Sequence, residues 1–102
     1  MSCFFRVASP AEFEDLSAYG RFRAGPNSAE GKYLWNQIEH AQAFRDLLLA
    51  NGWERECIIL KVEVADHLAD RFAQFAKIDG IGPASFAELA DLESAVVTRV
   101  IE

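Results

Sequence analysis

The chain has 102 residues and contains only two cysteines, three prolines and one methionine, with no long apolar run. A membrane-spanning helix needs about 20 consecutive apolar residues, so no membrane association is expected. Arg6 interrupts the only early apolar segment, which excludes the basic-then-apolar layout of a secretory signal and predicts a cytoplasmic site of action. Cys3 and Cys57 lie in apolar, strand-like segments, and we interpret them as reduced core residues rather than as a disulfide.

Positive charge is scarce. Ten lysines and arginines face sixteen acidic residues, giving a net charge of −6. Because phosphate neutralisation supplies most non-specific affinity for DNA and RNA, direct nucleic-acid binding is not expected. Residues 1–35 are balanced, so residues 36–102 carry the whole acidic excess. This excess either keeps the protein soluble or docks a basic partner.

The common catalytic and metal-binding motifs are missing. His40 and His67 have no cysteine or histidine at ligand spacing, so no metal site is predicted. The chain contains no Gly-x-Gly-x-x-Gly, no phosphate-loop motif and no Gly-x-Ser-x-Gly. These absences exclude the usual signatures of dinucleotide-binding, nucleoside-triphosphate-binding and serine-hydrolase folds.

The composition is that of a folded domain, because 51% of the residues are hydrophobic and 12% are aromatic. The length suits one domain, residues 1–102, and is too short for two. The central feature is the stretch from Gly31 to Leu48, which begins as a strand over Lys32–Trp35. Asn36, with Glu39 three residues later, predicts a capped helix start. The helix then repeats apolar residues on one side, at Ile38, Ala41, Phe44 and Leu48.

The remaining segments alternate between strand and helix patterns. The predicted strands are Cys3–Ala8, a central strand over Glu56–Val64 and a last strand over Ser94–Ile101, with a short strand or extended arm over Arg21–Ala24. The predicted helices are one capped by Ser9 and stopped by Gly20, and one capped by Asp66 that buries Leu68, Phe72 and Phe75. Residues 77–83 read as a long turn-rich loop. This mixture predicts an α+β fold.

Two positively charged features allow alternative readings. Arg6 lies between apolar neighbours on the first strand, where it either reaches water or pairs with a core carboxylate. The turn residues 25–28, flanked by Arg21, Arg23 and Lys32, form either a solvated loop or a lip over a phosphate-bearing ligand.

Four segments in order resemble one known group of proteins. They are Phe-Phe-Arg-Val-Ala-Ser near the N-terminus, Gly-Lys-Tyr before the Ile-Glu-His-Ala helix, the Val-Glu-Val strand with the segment after it, and Asp-Gly-Ile-Gly-Pro-Ala-Ser-Phe-Ala-Glu-Leu. Together they resemble the C-terminal toxin modules of bacterial polymorphic and Rhs-type toxins. Those modules are similar in architecture to ADP-ribosyltransferases.

The resemblance implies a small split β-sheet core with two to three helices that clamps NAD as a substrate. It implies that Arg6 holds a phosphate or ribose, and that the second motif of the superfamily falls on Tyr33, Trp35, Asn36 and Gln37. It also implies that Glu88 stabilises the oxocarbenium-like transition state and orients the nucleophile. Such a domain would act as a toxin or effector in bacterial competition, on a protein target or with a cognate immunity or defence protein as partner.

The second motif departs from the superfamily pattern, because Leu34–Gln37 contains no serine or threonine. This departure and the acidity of residues 36–102 support an alternative hypothesis. The same fold would then be a catalytically inert acidic module, such as a phage- or bacterium-encoded inhibitor. It would bind a basic surface of nucleic-acid-handling or defence machinery through clustered charges at Glu54, Glu56, Asp91 and Glu93. In that case Arg6 and Glu88 form a buried ion pair or two separate surface charges.

Overall fold

The computed structural model describes residues 1–24 and 31–101. Its elements are, in order, β1 (Ser2–Ala8), α1 (Pro10–Tyr19), β2 (Gly31–Trp35), α2 (Ile38–Ala50), β3 (Ile58–Val64), α3 (Asp66–Ala69), β4 (Ala73–Ile78), β5 (Gly82–Glu88), a 3-10 helix (Leu89–Leu92) and β6 (Val96–Arg99). The six strands form one antiparallel sheet in the order β4-β5-β2-β1-β3-β6. This architecture confirms the α+β prediction, and β3 is an interior strand as predicted.

The sheet separates two layers of apolar side chains. On the face that packs on α1, which we term the α1 face, the buried set includes Phe4, Ala8, Leu34 and Leu60 together with Leu16 of α1. On the opposite face, the α2 face, the buried set is Val7, Trp35, Ala41, Ile59 and Ala84, with Phe44 of α2 packed against it. Successive strand residues point to opposite faces, so the sheet register fixes the face that each side chain occupies.

The two middle strands meet at only a short seam. β1 pairs with β3 along its whole length, from Ser2↔Val64 to Ala8↔Ile58, and β2 pairs with β5 from Gly31↔Glu88 to Trp35↔Ala84. In contrast, β1 and β2 share a single registered pair, Phe5↔Trp35. The sheet therefore consists of two halves, β4-β5-β2 and β1-β3-β6, which part beyond that pair.

The helix ends show which local signals hold. α1 starts as predicted: the Ser9 hydroxyl accepts a hydrogen bond from the Glu12 amide at 3.2 Å, and Gly20 ends the helix at φ +72°. The prediction that Asn36 caps α2 is wrong. Gln37 takes the cap position without a side-chain cap bond, and the Asn36 side chain turns to the neighbouring strands instead.

The region after α3 differs most from the prediction. The helix expected to bury Phe72 and Phe75 ends at Ala69, and Phe75 lies in β4. Phe72 is buried against Phe4, with ring centroids 5.2 Å apart. The spacing of these phenylalanines suits a helical period, but residues 73–78 pair with β5 as a strand, and the pleat then places Phe75 on the α2 face opposite Ala84.

The expected loop over residues 77–83 is instead a tight turn between β4 and β5. The Ile81 amide donates to the Ile78 carbonyl oxygen at 2.9 Å, and both central residues have positive φ, +52° at Asp79 and +71° at Gly80. Asp-Gly is a preferred pair for such a hairpin turn, because each tolerates the left-handed region.

Three further segments complete the comparison with the sequence. Arg21–Ala24 forms no strand, although Phe22 is buried. β6 is shorter than the predicted 94–101 strand. The turn residues 25–28 lie outside the described residues. In the described part of the chain, no helix combines the length and apolarity needed to span a membrane.

Candidate functional site

Arg6 is held at the seam between the two halves of the sheet by three hydrogen bonds. Its guanidinium donates twice to Glu12 of α1, from Nε to Oε2 at 3.0 Å and from Nη2 to Oε1 at 2.8 Å. Its Nη1 donates to the Tyr33 carbonyl oxygen at 3.0 Å. Arg6 therefore bridges β1, β2 and α1 at the level where the two strands stop pairing.

Glu12 also forms an ion pair with a second cation, Lys32. Lys32 Nζ lies 3.2 Å from the same Oε1 oxygen that accepts from Arg6, and the Lys32 side chain is only 8% exposed. Burial alone would raise the pKa of Glu12, but hydrogen bonds and charge from Arg6, and then the charge and hydrogen bond of Lys32, lower that pKa below its usual value. The carboxylate is therefore ionised at neutral pH, and the three groups together carry one net positive charge.

A pocket of about 610 Å³ opens beside this ion cluster on the α1 face. Its polar lining includes Ser9, Glu12 and Lys32, and its apolar lining includes Leu16 and Phe22. Arg23 and Asp15, at its rim, neutralise each other through two hydrogen bonds, at 3.1 and 2.6 Å. Arg23 is thus engaged, and the positive charge next to the pocket is that of the Glu12 cluster, to which Arg6 contributes from behind Glu12.

The α2 face carries a group of aromatic rings that none of the described helices covers. Tyr33 of β2 is 48% exposed and Phe75 of β4 is 38% exposed, while Phe86 of β5 is half-buried. The Tyr33 ring centroid lies 4.9 Å from that of Phe86 and 5.8 Å from that of Phe75. We term these three rings the aromatic platform. Ring pairs at these separations stabilise each other, and an exposed group of them offers a stacking surface to a flat ligand.

Glu88 lies on the same face as the aromatic platform. It pairs with Gly31, and the neighbouring pair on that face is Tyr33↔Phe86. Two residue steps along a strand span about 7 Å, so the exposed Glu88 carboxylate stands at the edge of the platform. The register therefore brings together Glu88 and Tyr33, both of which the sequence analysis singled out.

The same register separates Glu88 from Arg6. Extending the Phe5↔Trp35 pair by one residue places Arg6 across from Leu34, which faces α1, whereas Glu88 faces the opposite side. Their Cα atoms are about 10 Å apart along the strands and about 10 Å across them. The Arg6 side chain pairs with Glu12, so Arg6 reaches the aromatic platform only through the Tyr33 backbone.

The other residues of the second motif have separate environments. Trp35 is 5% exposed and packs against Phe44, with centroids 5.3 Å apart, so its ring is part of the core. Asn36 accepts a hydrogen bond from the buried Ser85 hydroxyl at 2.7 Å on the α1 face. Gln37 is exposed at the start of α2. Of this motif, only Tyr33 contributes to the aromatic platform.

The four acidic residues proposed as a docking surface do not share one side of the molecule. Asp91 is buried and pairs with Arg71 at 3.3 Å, and Glu93 lies 3.7 Å from Arg21. Both belong to the region whose Leu89 and Leu92 pack on the α1 face. Glu54 follows α2, where its amide donates to Leu48, which packs on the α2 face, and Glu56 lies two residues further on.

Histidine and cysteine add no catalytic centre. The His40 ring packs against Gly82, and within residues 1–24 and 31–101 no group of three or more potential metal ligands is present. Both cysteines are free, but Cys3 is exposed, which corrects its assignment to the core. Partial burial raises the pKa of both thiols, so neither is an activated nucleophile.

Sequence reasoning missed Glu12, Phe75 and Phe86 as site residues. Glu12 was read only as a helix-start residue, although a carboxylate three positions after a cap can serve a second partner. The Asp-Gly hairpin signal could have located β4 and β5, and the alternation along those strands would then have placed both phenylalanines on one face.

Comparisons of this chain with protein-family models, with curated proteins and with solved structures found no match.

Proposed function

We propose that this protein is an ADP-ribosyltransferase-like domain that binds NAD as a substrate, with the nicotinamide end against the aromatic platform and Glu88 beside the nicotinamide ribose. The observation that carries the proposal is the shared face of Tyr33, Phe86 and Glu88. The exposed Glu88 carboxylate lies two residue steps, about 7 Å, along the strand from the exposed rings. This spacing matches that between a base and the sugar attached to it.

The chemistry asks for a carboxylate near developing positive charge. When the bond between ribose C1′ and the nicotinamide nitrogen breaks, its electron pair leaves with nicotinamide and C1′ becomes cationic. The acceptor then forms a new bond to C1′ and releases a proton. A fixed Glu88 carboxylate stabilises that charge, and this stabilisation strengthens when a bound ligand excludes water from the exposed site.

The aromatic platform offers the flat nicotinamide ring a surface on which to stack. Base-on-aromatic stacking contributes about 1–3 kcal/mol per base. Two rings, Phe86 of β5 and Phe75 of β4, contact Tyr33 from the β5 side of β2 and limit the orientations that its side chain can adopt. A ring held in this way loses little entropy when a ligand stacks on it.

In this proposal Arg6 is a positioning residue. Its bond to the Tyr33 carbonyl oxygen fixes β2 where β1 no longer pairs with it. The split sheet that the resemblance implies is in keeping with this seam. The role of the domain as a cytoplasmic toxin or effector, and the identity of its protein target, stay predictions from the sequence.

Release of nicotinamide from NAD is the direct test. Glu88→Gln keeps the size of the side chain and removes its charge, and we expect a decrease in rate of about 10²–10³-fold, the range for loss of one electrostatic transition-state contact. Tyr33→Ala should weaken NAD binding by about tenfold or more, and Tyr33→Phe should preserve it because the ring remains.

Glu14→Gln provides the matched control, since Glu14 is an exposed glutamate of α1 far from the aromatic platform in sequence and element. It should leave the rate unchanged. The proposal is refuted if concentrated protein neither binds NAD by calorimetry nor releases nicotinamide, or if Glu88→Gln and Glu14→Gln have equal effects.

The inert acidic module is less well supported. Its four carboxylates divide between the two faces of the sheet, and two of them are engaged by Arg71 and Arg21. These four carboxylates therefore do not form one acidic surface in the described part of the chain.

A further inference from the structure

Lys32 is buried, and its ammonium group has a single hydrogen-bond acceptor in the part of the chain that the structure describes. The residue is 7% exposed, and an ammonium group has three N–H donors. Among the described residues, its one acceptor is Glu12 Oε1, which also accepts from Arg6. Burying an ammonium group with two unfilled donors is costly, so the position calls for a further acceptor.

Other donors converge on the pocket that Lys32 lines. The Ser9 hydroxyl accepts from the Glu12 amide, and its own proton has no acceptor among residues 1–24 and 31–101. Ala11 also lines the pocket, and its amide belongs to the first turn of the ten-residue helix α1, which has no intrahelical acceptors for its first amides. The positive end of that helix adds to the charge of Lys32.

We propose that this pocket on the α1 face binds an oxyanion, a phosphate or phosphate-bearing group, through Lys32, Ser9 and the first turn of α1. The site is distinct from the aromatic platform, which lies on the opposite face of the sheet. It does not depend on the proposed NAD chemistry, because Lys32 and the start of α1 take no part in that chemistry.

The charge balance favours an anion despite two carboxylates in the wall. Asp15 is neutralised by Arg23, and Glu12 is outnumbered by Arg6 and Lys32. The charged residues that line the pocket balance, and Arg6, which lies behind Glu12 and does not line the pocket, adds one positive charge. The apolar side chains of Leu16 and Phe22 lie beside this group. Glu12 weakens binding by repulsion, so affinity for a small oxyanion is expected in the millimolar range and should rise when this carboxylate is neutralised.

Titration of the whole chain with inorganic phosphate, followed by amide chemical shifts, tests the proposal. We expect saturable shifts at Ser9, Ala11 and Lys32. Lys32→Met should weaken binding by about tenfold or more, as expected for loss of a charge-assisted hydrogen bond. Lys61→Met, at an exposed lysine of β3, is the matched control and should leave the affinity unchanged.

Glu12→Gln gives a second readout that does not require removing Lys32. It should increase phosphate affinity several-fold. If the charged residues of the pocket serve only to hold α1 on the sheet, neither the wild type nor Glu12→Gln should bind phosphate. Competition between NAD and inorganic phosphate then separates the two sources of the anion. If NAD displaces phosphate, the pocket takes the pyrophosphate of an NAD molecule other than the one proposed at the aromatic platform. If both bind together, it takes a separate phosphate; either result supports the site.

Two results overturn the proposal. One is the absence of saturable shifts in the wild type and in Glu12→Gln at high phosphate concentration. The other is equal weakening by Lys32→Met and Lys61→Met, which would indicate general attraction of anions to the surface. Neither result bears on nicotinamide release, so failure here and failure of the proposed function are distinguishable.

Discussion

The contact between His40 of α2 and Gly82 of β5 should make Gly82→Ala destabilising. A Cβ added at Gly82 would lie 2.4 Å from His40 Nδ1, 2.5 Å from Cε1 and 2.8 Å from Cγ, whereas ordinary contact begins at 3.4 Å. The imidazole would have to move by about 1 Å within the packed layer between α2 and the sheet. Overpacking of this kind costs about 1–3 kcal/mol.

A smaller opposing effect comes from the unfolded chain. Replacing glycine by alanine reduces the conformational freedom of the unfolded state and stabilises by about 0.4–1 kcal/mol where the native backbone accepts alanine. Gly82 has no positive φ, so this gain applies. We therefore expect a net loss of about 1–2 kcal/mol in the free energy of unfolding, which for a domain of this size lowers Tm by about 10 °C.

The assay is urea unfolding of Gly82→Ala in two backgrounds, wild type and His40→Ala. Without the imidazole the added methyl group has space, so the substitution should become neutral or stabilising. The coupling energy between the two positions should be about 1.5 kcal/mol or more. His40→Ala alone should cost little, because it also removes the buried Nδ1 atom, which has no hydrogen-bond partner among residues 1–24 and 31–101.

Gly80→Ala is the matched control on the same hairpin. Gly80 has φ +71° and nothing within 4 Å of an added Cβ, so its substitution should cost about 1 kcal/mol through backbone strain alone. That cost should be the same in both backgrounds. If Gly82→Ala were also equally destabilising with and without His40, the argument from the ring contact would be wrong.

Two further predictions concern other parts of the sheet. Glu12→Gln should destabilise the protein at neutral pH by about 1–3 kcal/mol, because Arg6 and Lys32 lose their shared counter-charge. The pKa of Glu12 is lower in the folded protein than in the unfolded chain. The stabilisation that Glu12 contributes is therefore complete above its unfolded-state pKa and is lost as pH falls through its folded-state pKa. The free energy of unfolding should accordingly decrease less with falling pH in Glu12→Gln than in the wild type. Trp35→Ala should cost about 3–5 kcal/mol in urea unfolding because the ring is core, whereas Tyr33→Ala, at an exposed ring, should cost much less and act on NAD binding instead. Equal losses of stability at the two positions would contradict this division.

Local signals in the sequence determined where several helices begin and end. Ser9, Pro10 and Gly20 define α1 because a cap, a fixed φ and a left-handed stop act within a few residues of one another. Gly52, with φ +70°, likewise provides a left-handed stop after α2, while Asn51 keeps a right-handed backbone at the cap position. The predicted strand over Glu56–Val64 is apolar on both sides in its first half, which indicated an interior strand because such residues require cover on both faces.

Only the tertiary structure decided where side chains meet. Phe72 and Phe75 suit a helical period, and the pairing of β4 with β5 divided them between a buried turn and the aromatic platform. The faces of Arg6 and Glu88 depend on the register across three strands, and a shift of one residue in one of these strands would place both side chains on the same face. The sequence alone contains no signal for that register, because it is set by the packing of both apolar layers at once. The choice of Glu12 as the partner of Arg6 likewise follows from how α1 lies on the sheet.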